Sequence, residues 1–542
     1  MYNRLDALCS SLADPRNQHR GWRVLSALLS PKTPRLTVLA IAVAHGFNEL
    51  ALAEQLADAL AAATLAVGAP AVALRVLYVA VFVRGGERST HAQAIRSLCE
   101  DDFTFHELQR VLCRGRRRSA PWKDGVTHQM LRNLDDHQLA VFNGFLRSGC
   151  LPESWRCALV VPVLKRGKPP RSLASYKPVS LMSVPIKTIE AMALSRLQWI
   201  ADILAIFLPE QCGFRAHRST ADCLSAVVGT LEQASRDGRA AFLLLLDVQS
   251  AFDCLPHATI ISLGWLTPGV RASLPHRQSV CCLCRAGDQL APFSEVQRAS
   301  GDVLSPFLFN LALAPISECV PSNGHLPVRA VVYADDVALF VRGPPSAMRQ
   351  MRMQLQAAVD AVGDFLRAIG LHLSAAKWEA IMVHPGAAAR RRTGCVVVDG
   401  VPLPWRLTVC YLGLTIDHRL TWYPAVKQLR AAMRRVEGAV RAPLARGALA
   451  TPLFAVGMCG AVALSKALYA LPLCSLRPHL WRHIDCDNRR VLRMCHGLLR
   501  ASRLAETLAE AGAWPVSLTA DLRALGHIER LSRAPGDGLM LS

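Results

Sequence analysis

Two adjacent carboxylates, Asp335 and Asp336, interrupt an apolar run that spans residues 331–340. Val331-Val332-Tyr333 before them and Val337-Ala338-Leu339-Phe340 after them read as short buried strands. The tetrad Tyr333-Ala334-Asp335-Asp336 then falls at the tip of a hairpin. Burying one unpaired carboxylate is costly, and burying two side by side costs more. On its own, an Asp-Asp pair reads as a surface turn, where Asp is common. A third acid changes that reading. Residues 241–248 form a second apolar run, Ala-Phe-Leu-Leu-Leu-Leu-Asp-Val, with Asp247 near its end and Ala251-Phe252-Asp253 just behind. If the two runs are neighbours in one sheet, Asp247 and Asp335 face each other across it. Facing carboxylates can share hard divalent cations, which prefer oxygen ligands. Two such ions clamp the attacking and leaving oxygens of a phosphoryl transfer. The pattern points to nucleotidyl transfer.

Other stretches supply the elements that would position these acids. Phe103-Thr104-Phe105-His106-Glu107-Leu108 reads as a cap and first helical turn. Residues 159–164 read as a strand running into the basic turn Lys165-Arg166-Gly167-Lys168. Ser219 or Thr220 caps a helix that begins at Ala221. Phe307 to Leu313 reads as another helix. Val426, Leu429, Met433, Val436 and Val440 make a helical apolar stripe, with Lys427, Arg430, Arg434 and Arg441 on an adjacent face. Between residues 427 and 446 there are six basic residues and one acid, Glu437. That face tracks phosphates or is simply solvated. Residues 489–503 read as a second basic helix.

The chain has 542 residues, enough for several domains. Its formal net charge is +21, which suits a polyanionic partner. The 18 cysteines show no regular framework. With no signal peptide recognisable, this favours a reducing compartment inside the cell. Cys281-Cys282-Leu283-Cys284 lacks a matching partner cluster, and His483, Cys486, Cys495 and His496 do not have the spacing of a standard zinc finger. The uncharged stretch 59–74 is broken by Pro70 and too short for a confident membrane span.

Several ordered motifs carry a family resemblance. Asp247-x-x-x-Ala251-Phe252-Asp253, Gly301-Asp302-Val303-Leu304-Ser305-Pro306, Tyr333-Ala334-Asp335-Asp336 and Tyr411-Leu412-Gly413 follow one another. In this order they resemble the reverse transcriptases of non-LTR (LINE-type) retrotransposons, over roughly residues 100 to 530. The flanks, including Asp14-Pro15-Arg16-Asn17 and Gly21-Trp22-Arg23, look closest to the ingi group. The resemblance implies an α+β right-hand polymerase with fingers, palm, thumb and helical flanking regions. The expected division is a connector over 1–100, fingers over 101–240, palm over 241–416 (reverse transcriptase domain about 155–416), thumb over 417–470 and a helical region over 471–542.

The resemblance also implies roles. Asp247 and Asp335 would bind two Mg²⁺ ions, with Mn²⁺ as an alternative, and Asp336 would be either a third, weaker ligand or an orienting acid. Lys165 and Lys177 would hold the incoming triphosphate, the latter where relatives carry Arg. Arg215 and Arg218, in Gly213-Phe214-Arg215-Ala216-His217-Arg218-Ser219-Thr220, would lie near the template. Phe252 would exclude a ribose 2′-hydroxyl by clash; core packing is its bland alternative. Gly301 would help seat the nucleotide, although Ser300 stands where the family has glutamine. Lys377 would neutralise or protonate the leaving pyrophosphate; a solvated lysine reads equally well. Tyr411 and Gly413 belong to a primer-grip hairpin, where Gly413 lets the backbone approach the primer. Lys427, Arg430 and Arg434 would follow the nucleic-acid backbone. Partners would be an RNA template, a DNA primer and deoxynucleotides, with no membrane. The chain would work in the nucleus or in a cytoplasmic ribonucleoprotein. No endonuclease or RNase H segment is recognisable. The alternative is a decayed copy that binds nucleic acid and polymerises poorly, suggested by Ser300 and by the irregular stretch 254–300.

Overall fold

The computed structural model describes residues 101–115, 124–133, 139–144, 158–164, 175–248, 280–282, 303–445 and 452–533, less positions 204, 322–323, 375–376, 385 and 387–388. Lys165, Phe252, Ser300, Gly301 and the stretch 59–74 lie outside these residues. In chain order the main elements begin with helix α1 (Phe105–Arg114) and strands β1 (Ala158–Leu164) and β2 (Tyr176–Leu181). Helices α2 (Val184–Ile203) and α3 (Thr220–Arg236) follow, then β3 (Ala240–Asp247), β4 (Val280–Cys282) and helix α4 (Ser305–Leu313). Next come β5 (Arg329–Tyr333), β6 (Asp336–Gly343), helix α5 (Met348–Ala368) and β7 (Glu379–Val383). The short strands β8 (Val396–Val398), β9 (Val401–Leu403) and β10 (Trp405–Arg406) lead to the hairpin β11 (Thr408–Tyr411) and β12 (Leu414–Asp417). Helices α6 (Tyr423–Ala445), α7 (Pro478–Cys495) and α8 (Val516–Arg533) are the long elements near the C-terminal end.

The site-bearing sheet has the order β10-β7-β3-β6-β5, with β3 at its centre. Every residue of β3 is buried, as expected of a continuous apolar run covered on both faces. Side chains alternate along a strand, so this run supplies two cores at once. Phe242, Leu244 and Leu246 join α4 and α5 in one cluster. Ala241, Leu243 and Leu245 join α3 and α6 in the other. The result is a helix–sheet–helix sandwich, a mixed α+β architecture. A separate, smaller sheet has the order β2-β1-β4, and Lys177 lies in β2 opposite Val163.

Several helix ends are fixed as their sequences suggest. Thr104 caps α1, and Glu107 returns a carboxylate to Thr104 N at 2.8 Å. Ser219 caps α3, and its own N–H donates to Asp222 Oδ2 at 2.6 Å. The expected stripe Val426, Leu429, Met433, Val436 and Val440 is buried on α6. The second basic helix is displaced from its expected span. Helix α7 ends at Cys495, where Gly497 takes a φ of 66° and closes the turn. Arg503 caps the next helix, Leu504–Glu510. The run Ala455–Leu473 is long and apolar enough to cross a membrane by length and composition. Here Ala455, Cys459, Ala463, Ala467, Leu468 and Leu471 are buried in the core beneath β3.

Buried acids tie distant segments together. Glu232 on α3 accepts from Trp422 Nε1 at 2.9 Å and from Ser475 N at 2.8 Å. Asp417 accepts from the N–H groups of Thr421 and Trp422, at 3.1 and 2.9 Å, just before α6. Arg530 of α8 donates to His217 O at 2.6 Å and pairs with the fully buried Asp222. Carboxylates buried in this way persist because hydrogen-bond donors meet their oxygens.

Candidate active site

Strands β5 and β6 form a hairpin in which Tyr333 pairs with Asp336, leaving Ala334 and Asp335 as a two-residue turn. Ala334 takes a φ of 56°, a left-handed conformation unfavourable for a residue with a Cβ. The surroundings hold it there. Residues 210–212 run along β5, with Val332 N donating to Glu210 O and Cys212 N to Val332 O, both at 2.9 Å. Gly213 then packs against the turn so closely that a Cβ would collide with Ala334 N. Asn310 of α4 donates its side-chain amide to Gly213 O. Gln211 donates to Asn310 O at 2.6 Å.

The register corrects the expected pairing of acids. Asp336, not Asp335, lies directly opposite Asp247 across the β3–β6 ladder. The two-residue turn takes Asp335 out of the ladder, and its carbonyl accepts from Val248 N at 3.0 Å. On the far side Ser374 N donates to Asp247 O at 2.8 Å. Lys377, three residues on, donates to both oxygens of Asp247, at 2.7 and 2.8 Å. The contact ties Lys377 to the acid-bearing end of the sheet. Its ammonium is engaged with Asp247 although its side chain remains 63% exposed.

Asp247, Asp336, Lys377, Glu379, Cys410 and Tyr411 line a cleft of about 320 Å³. Burial pushes the Asp336 carboxyl up to about 6, and the charges of Asp335 and Asp247 add to that, while Lys377 opposes it. Among the described residues no three His, Cys, Asp or Glu side chains converge as a metal cage. The donor set still suits Mg²⁺ or Mn²⁺. Such ions are commonly held by one or two carboxylates, with water and substrate phosphates completing the shell. Asp247 and Asp336 would supply those carboxylates, with Asp335 beside them at the turn.

The raised Asp336 carboxyl has a consequence for stability. The folded state keeps its proton between the ordinary value of 3.8 and about 6, where the unfolded chain has released it. Folding stability therefore falls as pH rises through that window. In buffer with chelator, Asp336→Asn should stabilise the fold by about 1–2 kcal/mol at about pH 7, discounted for partial exposure, and by almost nothing at about pH 4. Urea midpoints at the two pH values measure this, and an equal gain at both would contradict the assignment.

Other expected site residues carry internal contacts of their own. Arg215 is half-buried at the turn that follows Leu208. Its guanidinium donates to Leu208 O at 2.7 Å and Gln211 O at 3.0 Å, over the ring of Phe207. Turn carbonyls there need donors, and the arginine supplies them. Arg218 is half-buried on the same corner. Arg430 also has an internal partner: its Nε lies 2.6 Å from Asp487 Oδ2 on α7. Lys427 and Arg434 are exposed on α6. Tyr411 turns its ring into the core and is 2% exposed, because it occupies the inward-facing alternate position of β11. Gly413 is exposed at the β11–β12 turn with a φ of 82°, which a residue lacking Cβ adopts easily. Cys495 and Cys486, considered together as zinc ligands on sequence grounds, part company: Cys495 lies 4.0 Å from Cys459 in the core. From the sequence, Gly213, Cys410 and Glu379 stand inside or beside recognisable motifs, and none of the three has a role of its own there.

Comparison with known proteins points the same way. Residues 163–416 match the family described as reverse transcriptase (RNA-dependent DNA polymerase). The RNA-directed DNA polymerase from mobile element jockey of Drosophila funebris is 26% identical over 359 residues, covering 62% of this chain and 38% of that protein. The probable RNA-directed DNA polymerase from transposon BS of Drosophila melanogaster is 27% identical over 334 residues, 59% of this chain and 36% of the relative. The Pol polyprotein from type-2 retrotransposable element R2DM of the same species is 28% identical over 297 residues, 52% and 26% of the two chains. The chain thus spans well under half the length of these relatives. The three acids and the cleft lie inside the stretch 163–416 that matches the reverse transcriptase family, and the chain is similar over that stretch to polymerases of non-LTR retrotransposons.

Proposed function

We propose that the chain is an RNA-directed DNA polymerase of a non-LTR retrotransposon, adding deoxynucleotides to a primer 3′-hydroxyl on an RNA template. The observation that carries this is the direct opposition of Asp247 and Asp336 at one sheet end, with Asp335 on a strained turn between them. Fingers, palm and thumb are the natural names for the β1–β2 region, the central sheet with its helices, and α6 with the helices C-terminal to it. The divalent cations expected at the acids would lower the pKa of the attacking hydroxyl and steady the triphosphate. The chain's own residues do the rest. Asp247 and Asp336 present hard oxygens on one face of a rigid strand pair, Lys377 offsets part of their charge, and Gly413 leaves its own position in the turn free of a side chain. Lys165, Lys177, Phe252 and Gly301 keep the substrate-binding roles that the resemblance gives them. Exposed Lys427 and Arg434 and the net charge of +21 suit a nucleic-acid backbone. The ingi affinity rests on the motifs at residues 14–23. The proposed setting is the nucleus or a cytoplasmic ribonucleoprotein.

Primer extension on poly(rA) with oligo(dT), dTTP and Mg²⁺ tests the reading. Extension that stops on chelation is expected. Tight, salt-sensitive binding of primer–template without extension would favour the decayed copy, the reading that Ser300 supports.

A further inference from the structure

We infer that Glu379 is a positioning residue that fastens the β11–β12 hairpin to the acid-bearing end of the central sheet, and so fixes where a polymer terminus meets Asp247 and Asp336. This rests on the polymerase reading for its functional half only. Hairpin β11–β12 is a separate two-stranded unit, outside the five-stranded ladder. A side chain makes the connection that a ladder would otherwise make. Glu379 opens β7 opposite Leu245, two residues before Asp247 on the neighbouring strand. Ile381 and Val383, on the same face of β7, are buried in the core. Glu379 continues that row to the cleft, where an apolar residue would end it.

Both carboxylate oxygens are committed. Oε2 accepts from Cys410 N at 2.9 Å, and Oε1 pairs with the Arg406 guanidinium. The two donors bracket the segment that delivers the turn at Leu412 and Gly413, whose φ values are 43° and 82°. From the opposite side, Tyr469 Oη donates to Leu412 O at 3.0 Å. The turn is thus held between a carboxylate on the sheet and a phenol on the helical side. A carboxylate with both oxygens spent on a backbone N–H and a guanidinium is a poor further cation ligand, although it lines the same cleft. Its use is geometric. A hairpin shifted by about 1 Å would misalign a reacting terminus at a cost on the order of 100-fold.

Amide hydrogen exchange of full-length wild type, Glu379→Gln and Glu379→Ala, read on peptides covering β11–β12 and β3, tests the tie directly. Glu379→Ala should exchange about tenfold faster or more across β11–β12 with β3 unchanged, and Glu379→Gln, which keeps an acceptor, should fall between. In primer extension kcat should drop about 30-fold in Glu379→Ala, with KM for primer–template within about threefold. The Mn²⁺ midpoint in thermal-shift titration should not move. Unchanged protection in Glu379→Ala, equal loss in β3, or a weakened Mn²⁺ midpoint would each overturn the assignment; the last would make Glu379 a metal ligand. A wild type that binds primer–template but does not extend it counts against the polymerase reading alone, and the tie is then judged by exchange and the Mn²⁺ midpoint.

Discussion

Asp335→Asn should abolish primer extension, by about 10³-fold or more, while primer–template affinity stays within about threefold of wild type. The amide has the shape of the carboxylate and the same capacity to sit in the Ala334–Asp335 turn. What it loses is an anionic oxygen. Asp335 lies close enough that its charge is the first electrostatic cause of the raised Asp336 carboxyl, ahead of Asp247. It therefore belongs to the field in which cations and triphosphate would sit, although the ladder pairs Asp247 with Asp336. Nucleic-acid affinity draws on basic residues elsewhere, so it should hardly respond. The same substitution removes one of the two like charges acting on Asp336, and the Asp336 carboxyl should titrate lower as a result. Single-turnover extension and filter binding on one preparation separate the two effects. Retention of a tenth of the wild-type rate would remove Asp335 from the machinery and leave the Asp247–Asp336 pair to act without it.

The strands that carry the acids were legible because their apolar runs have no other use. An uncharged run ending in an acid is difficult to place anywhere but a buried strand. The register was not legible. Period-two alternation says which residues share a face, but the pairing depends on where the turn begins. With Ala334 and Asp335 both in the turn, the ladder resumes at Asp336 and the pairing moves by one residue. Ala334 itself gave no warning, since nothing marks an alanine as left-handed.

The internal partners of charged residues were not legible, for a common reason. Arg215 and Arg430 stand in basic contexts and read as phosphate contacts, and each also meets an internal acceptor that its neighbours in sequence do not announce. The acceptors are two carbonyls for Arg215 and, for Arg430, an acid 57 residues away on another helix. The partners of Glu232 lie 190 and 243 residues off. Local sequence cannot show such pairings, because they exist only once the sheet brings α3, α6 and the segment around Ser475 together. Glu379 shows the same limit. It stands beside the recognisable Lys377, but its donors come from a hairpin that the ladder does not include.

Gly213→Ala should be the most damaging single-methyl change near the site. Gly213 does not need a left-handed backbone; it needs the absence of a Cβ. An added methyl would collide with Ala334 N and lie 3.2 Å from Ala334 Cα and Tyr333 C, all backbone atoms that no rotamer change can move. Relief requires that residues 210–213 separate from β5 or that the turn shift. The first breaks the two hydrogen bonds to Val332, and the second carries Asp335 away from the β3 end that Val248 N anchors. Overpacking against rigid neighbours costs about 1–3 kcal/mol, and a buried hydrogen bond lost with it adds about 1 kcal/mol. A stability loss of about 2–4 kcal/mol in urea unfolding is expected, with extension reduced on the order of 100-fold at saturating Mg²⁺ in the protein that remains folded. Gly229, in α3, has no atom within 4 Å of an added Cβ, so Gly229→Ala serves as the control and should be neutral or slightly stabilising. If Gly213→Ala proved as stable and as active as that control, the turn could shift freely, and the contact between 210–213 and the hairpin would not be what holds Asp335 in place.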